Sequence, residues 1–150
     1  MQLLLVGVLV VLLDQLTKYI VVLKMTEGMS IPIINHVFHL TYILNPGAAF
    51  GMLEDNRWFF IGMALLVLVL ITFYRKWIMS EEKLVQYGIT LFAAGTFGNL
   101  IDRVRSGLVV DFFDFRIWPI FNVADIAICV GVGLIIWATI QEELAKNKDN

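Results

Sequence analysis

Hydrophobic residues in this chain fall into four long blocks that are continuous rather than periodic, separated by polar or mixed stretches. Continuous apolar runs of about 20 residues match the hydrocarbon thickness of a bilayer, whereas a surface helix of a soluble protein carries only an apolar stripe. The blocks cover about residues 3–23, 58–74, 84–101 and 122–140. The first lacks a basic leader and a small-x-small cleavage site and is long enough to span, so it is expected to be a retained helix. Arg75, Lys76 and Trp77 close the second as an interfacial flank would. The third is diluted by Gly88, Thr90, Gly95, Thr96 and Gly98. Small residues let membrane helices approach closely, so this helix is expected at the centre of the bundle, with Gly131 and Gly133 as close-packing positions on the fourth.

Between the first two blocks the period changes. Phe38, Leu40, Tyr42 and Leu44 alternate with His39, Thr41, Ile43 and Asn45, the two-residue repeat of an amphipathic strand. It ends at Asn45-Pro46-Gly47, a turn signal, so a small sheet lying on the membrane surface is expected there. Trp58 and Trp118 would mark one interface and Trp77 and Trp137 the other. Basic residues do not orient the chain, because Arg75, Lys76, Lys83, Lys146 and Lys148 on one side match Lys24, Arg57, Arg103, Arg105 and Arg116 on the other.

Composition sharpens this picture. The 150 residues are 59% apolar and 16% charged, with a mean hydropathy of +0.82. Four spans use more than half of such a chain, which leaves a single membrane domain, 1–150, and no room for a large soluble one. A net charge of -2 without a long basic run excludes a nucleic-acid footprint. The single cysteine, Cys129, has no partner for a disulfide and reads as a small apolar side chain.

Charged residues inside such blocks need a reason. Asp14 and Lys18 stand one turn apart on the first helix, where they make either a structural ion pair or a support for an active-site loop. Asn99, Asp102 and Arg103 share a helix face near the end of the third block. The two charges suit an interfacial flank, but a buried Asn99 amide must find partners. Asp111 lies among Val109, Val110, Phe112 and Phe113, and Asp125 opens the fourth block three residues after Asn122, on the same helix face. Two carboxylates brought together in a low dielectric cannot both ionise. Sharing one proton, they become an acid and a base, the equipment of an aspartic peptidase. Metal binding is not expected. His36 and His39 would point to opposite faces of a strand, and no further acids complete the Asp111 and Asp114 pair.

Five blocks carry a family resemblance: Asp14-Gln15-Leu16-Thr17-Lys18, Asn45-Pro46-Gly47-Ala48-Ala49-Phe50, Gly98-Asn99-Leu100-Ile101-Asp102-Arg103, Val110-Asp111-Phe112 and Phe121-Asn122-Val123-Ala124-Asp125. In this order, over about residues 3–140, the chain resembles the bacterial lipoprotein signal peptidases, also called signal peptidase II. The resemblance implies an α-helical integral membrane protein with four transmembrane helices and a small extracytoplasmic β-sheet cradle, about residues 25–56, between helices 1 and 2. A second extracytoplasmic segment, about 104–120, and a cytoplasmic tail, 141–150, follow from it, with both termini cytoplasmic and the active site at the outer leaflet of the cell membrane. It implies an endopeptidase cutting prolipoproteins just before a diacylglyceryl-modified cysteine, acting as a monomer among membrane lipids, with no metal and no cofactor. Asp111 and Asp125 match the catalytic dyad. Asn45, Asn99, Arg103 and Asn122 match the polar residues around it, Asp14 and Lys18 a supporting pair, and Gly95 and Ala124 positions that leave room for substrate. The competing reading is a small proton-coupled transporter that relays protons through Asp14, Asp111 and Asp125, although no repeated halves are visible.

Overall fold

The computed structural model describes residues 1–47 and 56–147. Ala48, Ala49 and Phe50 of the turn block, and the tail beyond residue 147, lie outside the described residues. The chain order is α1 (Gln2–Lys24), β1 (Ser30–Ile34), β2 (Phe38–Asn45), α2 (Arg57–Phe73), α3 (Arg75–Ile78), α4 (Lys83–Arg105), β3 (Val109–Asp114) and α5 (Val123–Lys146). Three helices, α1, α4 and α5, are long and apolar enough to cross a membrane, and α2 is a shorter apolar helix of 17 residues. Large apolar side chains stay exposed along them, among them Leu12 at 59%, Val69 at 61% and Trp137 at 56%. Only lipid makes such a surface favourable.

The glycine-rich helix is central, because α4 packs against α1, α2 and α5. Glycine is required where α4 meets α5. A Cβ on Gly88 would stand 2.8 Å from the Gly131 carbonyl oxygen, and one on Gly131 would stand 2.5 Å from the Gly88 carbonyl and 2.7 Å from the Phe92 amide nitrogen. Bare backbones therefore touch at this crossing.

At one end of the bundle the three strands form an antiparallel sheet in the order β1-β2-β3. The expected strand is present as β2, but the sheet is larger than the alternation indicated. It takes its third strand from beyond α4, where Val109–Asp114 is too uniformly apolar around its acids to show a two-residue repeat. Leu40, Tyr42 and Leu44 pack with Val110, Phe112 and Phe113 over Val21 and Met25 at the end of α1, so the sheet rests on the helix bundle. His36 does not lie on a strand. It occupies the β1–β2 turn in the left-handed region, at φ 63, so the expected opposition of the two histidines across one strand does not arise.

A chain of hydroxyls and acids ties the strands together. Ser30 Oγ lies 3.0 Å from His39 Nδ1 and 2.8 Å from Thr41 Oγ1, and Thr41 donates to Asp114 at 2.7 Å. Arg116 closes the chain by donating to Asp114 from its backbone and its guanidinium, both at 2.8 Å. Burial would raise the Asp114 carboxyl, but these donors and the Arg116 charge outweigh it and hold the group below the usual carboxylate range.

The glycine crossing yields a direct expectation. Gly131→Val should destabilise the protein by about 2 kcal/mol through overpacking, read as a lower midpoint of thermal unfolding in detergent. Gly133 is not the close-packing position expected, since an added Cβ there would meet nothing within 4 Å, so an equal change at Gly133 should be nearly neutral.

Candidate active site

The site is built outward from one buried ammonium. Lys18 is 3% exposed, and each of its protons has an acceptor: Asp14 at 2.9 Å, Asp102 at 2.8 Å and the Asn99 side-chain carbonyl at 2.9 Å. A charge buried in this way is tolerated only when it is paired and fully hydrogen-bonded. The cluster joins α1 to α4. Asp14 Oδ1 extends it to α5 by accepting from the Ala124 backbone amide at 2.9 Å, one of the unpaired N–H groups of that helix start. Gly98 admits the carboxylate, since a Cβ there would stand 2.6 Å from Asp14 Oδ2.

Gln15 is the residue that sequence reasoning missed. Its amide donates to Asp14 Oδ2 at 3.1 Å, to Asp102 Oδ1 at 3.0 Å and to the Gly98 carbonyl at 3.2 Å. The signal was an amide inside an apolar span, a group with no cheap way to stay unpaired. Asp102, read as a possible interfacial flank, is instead 8% exposed and committed to Lys18.

From this base three asparagines aim two aspartates. With its carbonyl held by Lys18 and by Asn122 Nδ2 at 3.1 Å, Asn99 presents its amide to Asp125 Oδ1 at 2.8 Å. Asn122 is the N-cap of α5 rather than a residue on the helix face. In a reciprocal capping box its side chain accepts from the Asp125 amide at 2.9 Å, and Asp125 Oδ2 accepts from the Asn122 amide at 3.1 Å. Asn122 Nδ2 also donates to Asp111 Oδ1 at 2.6 Å, so this one residue touches both acids. Asn45, at the end of β2, donates to Asp111 Oδ2 at 2.9 Å.

Asp111 on β3 is 1% exposed. Burial and then the nearby Asp125 charge raise its carboxyl to about 7, against the opposing pull of Asn45, Asn122 and Lys18. Both acids line a cavity of about 250 Å³ together with Asn45, Asn99 and Arg103. Arg103 donates to the Gly47 carbonyl at 3.1 Å and lies 4.7 Å above the Phe60 ring. Cys129, one turn beyond Asp125, also lines it.

Gly95 and Ala124 are not among the residues lining the cavity. Gly95 faces the Ala124 carbonyl and Ile128 across the α4–α5 contact, and Ala124 is fully buried, so both set the helix approach beside the acids. Asp114 points away into the sheet network, and no group of three or more His, Cys, Asp or Glu suited to a metal ion occurs among the described residues.

Fold and site together define a helical membrane protein with a carboxylate pair held at one end of its bundle. The model of the signal peptidase (SPase) II family matches residues 6–141. A lipoprotein signal peptidase from Pelotomaculum thermopropionicum is 45% identical over 141 residues, 93% of this chain and 91% of the relative. Another from Clostridioides difficile is 48% identical over 132 residues, 85% and 86% of the two chains. Two solved bacterial membrane enzymes superpose with TM-scores of 0.87 and 0.82 at 37% and 38% identity, covering 95% and 92% of this chain and 89% and 92% of theirs. The chain belongs to the signal peptidase II family. These relatives give the transporter reading no support.

Removing the central cation should unmake the site. Lys18→Met leaves Asp14 and Asp102 buried without a counter-charge, a loss of about 3–5 kcal/mol, so the folded yield in detergent should collapse. Lys18→Met with Asp102→Leu, which lowers the unpaired charge, should recover part of it.

Proposed function

We propose that this chain is an aspartic endopeptidase that removes the signal peptide from prolipoproteins, hydrolysing the bond just before the diacylglyceryl-modified cysteine. Asp111 and Asp125 are its dyad. The observation that carries the assignment is Asn122, which binds Asp111 through its side chain and Asp125 through its cap, fixing two carboxylates on one cavity. Near neutral pH the pair holds one proton between them. The ionised member takes a proton from water while the protonated member donates to the scissile carbonyl. The resulting tetrahedral intermediate collapses as a proton returns to the leaving amine.

Asn45, Asn99, Asn122 and Arg103 hold the dyad and the substrate backbone, Asp14 and Lys18 support them, and Gly95 and Ala124 set the helix spacing that leaves room for substrate. The reaction uses no metal and no cofactor. The α2 and α3 segment, about 58–74 at its core, serves as a fourth span beside those near 3–23, 84–101 and 122–140, all in one membrane domain. In this arrangement both termini are cytoplasmic, and the sheet and the 104–120 segment lie outside the cell membrane as a cradle. The carboxylates sit at the outer leaflet, and the enzyme works as a monomer surrounded by lipid. The positions of Trp58 and Trp118 near the cavity end, and of Trp77 and Trp137 near the other, support it.

Purified protein should cleave a diacylglyceryl-modified prolipoprotein and resist a chelator, while Asp111→Asn and Asp125→Asn each lower kcat by about a thousandfold or more at equal folded amount. A variant that cuts normally, or a reaction stopped by the chelator, contradicts the dyad. The pH profile carries a second expectation. Below about pH 7 the raised Asp111 carboxyl is neutral and can donate, whereas above it the donor is lost, so kcat/KM falls on the alkaline side. Asn45 favours the ionised form, and Asn45→Ala should therefore move that limb to higher pH.

A further inference from the structure

Three hollows follow one another down a single side of the bundle. The first is the cavity of the two aspartates, whose inner end is lined by Ile128. The second, of about 590 Å³, is an apolar groove between α2 and α5 floored by Ile89 and Phe92 of α4, with Leu70 and Ile135 on its walls. The third, of about 490 Å³, shares Ile89 and Ile135 with the second and ends at Glu81, Glu82 and Glu142.

Helix geometry makes these one strip. Ile128 and Ile135 are seven residues apart on α5, as are Phe92 and Asn99 on α4, and seven residues bring a helix back to nearly the same face. The groove exists because α2 packs mainly on α4 and leaves α5 uncovered beside it. A further groove, between α1 and α2, is also apolar and adjoins this one at Ile71, Ile78 and Ile89, but it is lined by Leu12 and Phe97 rather than by Leu70 and Ile135, and neither aspartate lines it.

We infer that the strip is the docking site for the signal segment of the substrate, an inference that rests on the peptidase reading above. A signal segment has three parts in order: a basic start, an apolar region of about 7–15 residues and a cleavage site. The strip presents three matching environments in the reverse direction along α5, which are the carboxylates, the apolar groove and an acidic end. Asp125 to Glu142 spans about 25 Å at about 1.5 Å per residue, and an apolar helix of about 15 residues spans about 22 Å. At the acidic end Glu142 is paired with Lys146 at 2.6 Å, with both side chains more than half exposed. An exposed pair of this kind is weak and exchanges readily with an incoming cation. Of the other cations described at that end, Lys83 lies 3.4 Å from the Gln86 amide oxygen, Arg75 lines the α1–α2 groove, and Lys76 on α3 is not among the residues lining the third hollow. The groove gives the departing peptide an apolar seat that the short cavity cannot supply, and the glutamates set its direction.

The test compares two substrates with the full chain in nanodiscs. One is the complete diacylglyceryl-modified prolipoprotein, and the other is a short lipopeptide that keeps the cut site but lacks the apolar and basic parts. Ile135→Trp and Leu70→Trp fill the groove, and each should lower the preference for the complete substrate, as a ratio of kcat/KM, by about tenfold. Glu81→Gln, Glu82→Gln and Glu142→Gln combined should lower the same ratio about threefold, and should have no effect when the basic residues of the substrate are made neutral. Leu12→Trp, in the other groove, should leave the ratio unchanged. A ratio unmoved by the groove variants means that lipid alone fills the strip and overturns the inference, as does an equal effect from Leu12→Trp. Failure of the wild type to cut either substrate would instead defeat the peptidase reading itself.

Discussion

Everything at the working end of this protein depends on neutralising a lysine that α1 carries into the bundle. Lys18 has three protons and three acceptors, and those acceptors come from α1 and α4 alone. Asp14 and Lys18 could have satisfied each other within one helix. The addition of Asp102, Asn99 and the Ala124 amide turns a local pair into a three-helix junction. Because a buried ion left without its partners is so costly, the junction tolerates little displacement. The Asn99 amide is consequently oriented before any substrate arrives, and through it so is Asp125.

The second constraint comes from the helix start of α5. An N-terminal turn exposes amides that need acceptors, and here Asp14, Asn122 and Asp125 supply them. The same contacts that cap the helix thus place one carboxylate, and the Asn122 amide left over reaches the other on β3. Stability and chemistry use the same atoms, so substitutions at Asn122 cannot separate them by yield alone. The sheet completes the arrangement, since β2 brings Asn45 to Asp111 while its opposite face rests on Val21 and Met25.

Much of this was legible in the chain because membranes impose simple rules. Long apolar blocks have few alternatives to helices, and the glycines of the third block pointed correctly to a central helix. Charged and amide side chains out of place in those blocks, or in the apolar run around residue 111, identified Asp14, Lys18, Asn99, Asp111, Asn122 and Asp125 as residues needing partners. What stayed hidden were relations across long sequence separations. Nothing local in Val109–Asp114 reveals that it pairs with a strand more than 60 residues earlier. Gln15 and Asp102 become partners only once α1 lies on α4, and Asn122 looked like a helical residue because a cap and a first turn share the same short spacing. The family resemblance supplied the reaction, which periodicity and charge could narrow only to an acid pair.

The central claim is that this framework makes two aspartates share one proton near neutral pH. Infrared difference spectroscopy of the purified protein across a pH titration reads it directly, through the carbonyl stretch of a protonated carboxylic acid. The account predicts one such band that disappears with a midpoint close to 7, is absent in Asp111→Asn, and titrates at lower pH in Asp125→Asn, where the neighbouring negative charge is gone. A protein in which both carboxyls are already ionised by about pH 5, or whose midpoint is unmoved by Asp125→Asn, would contradict it.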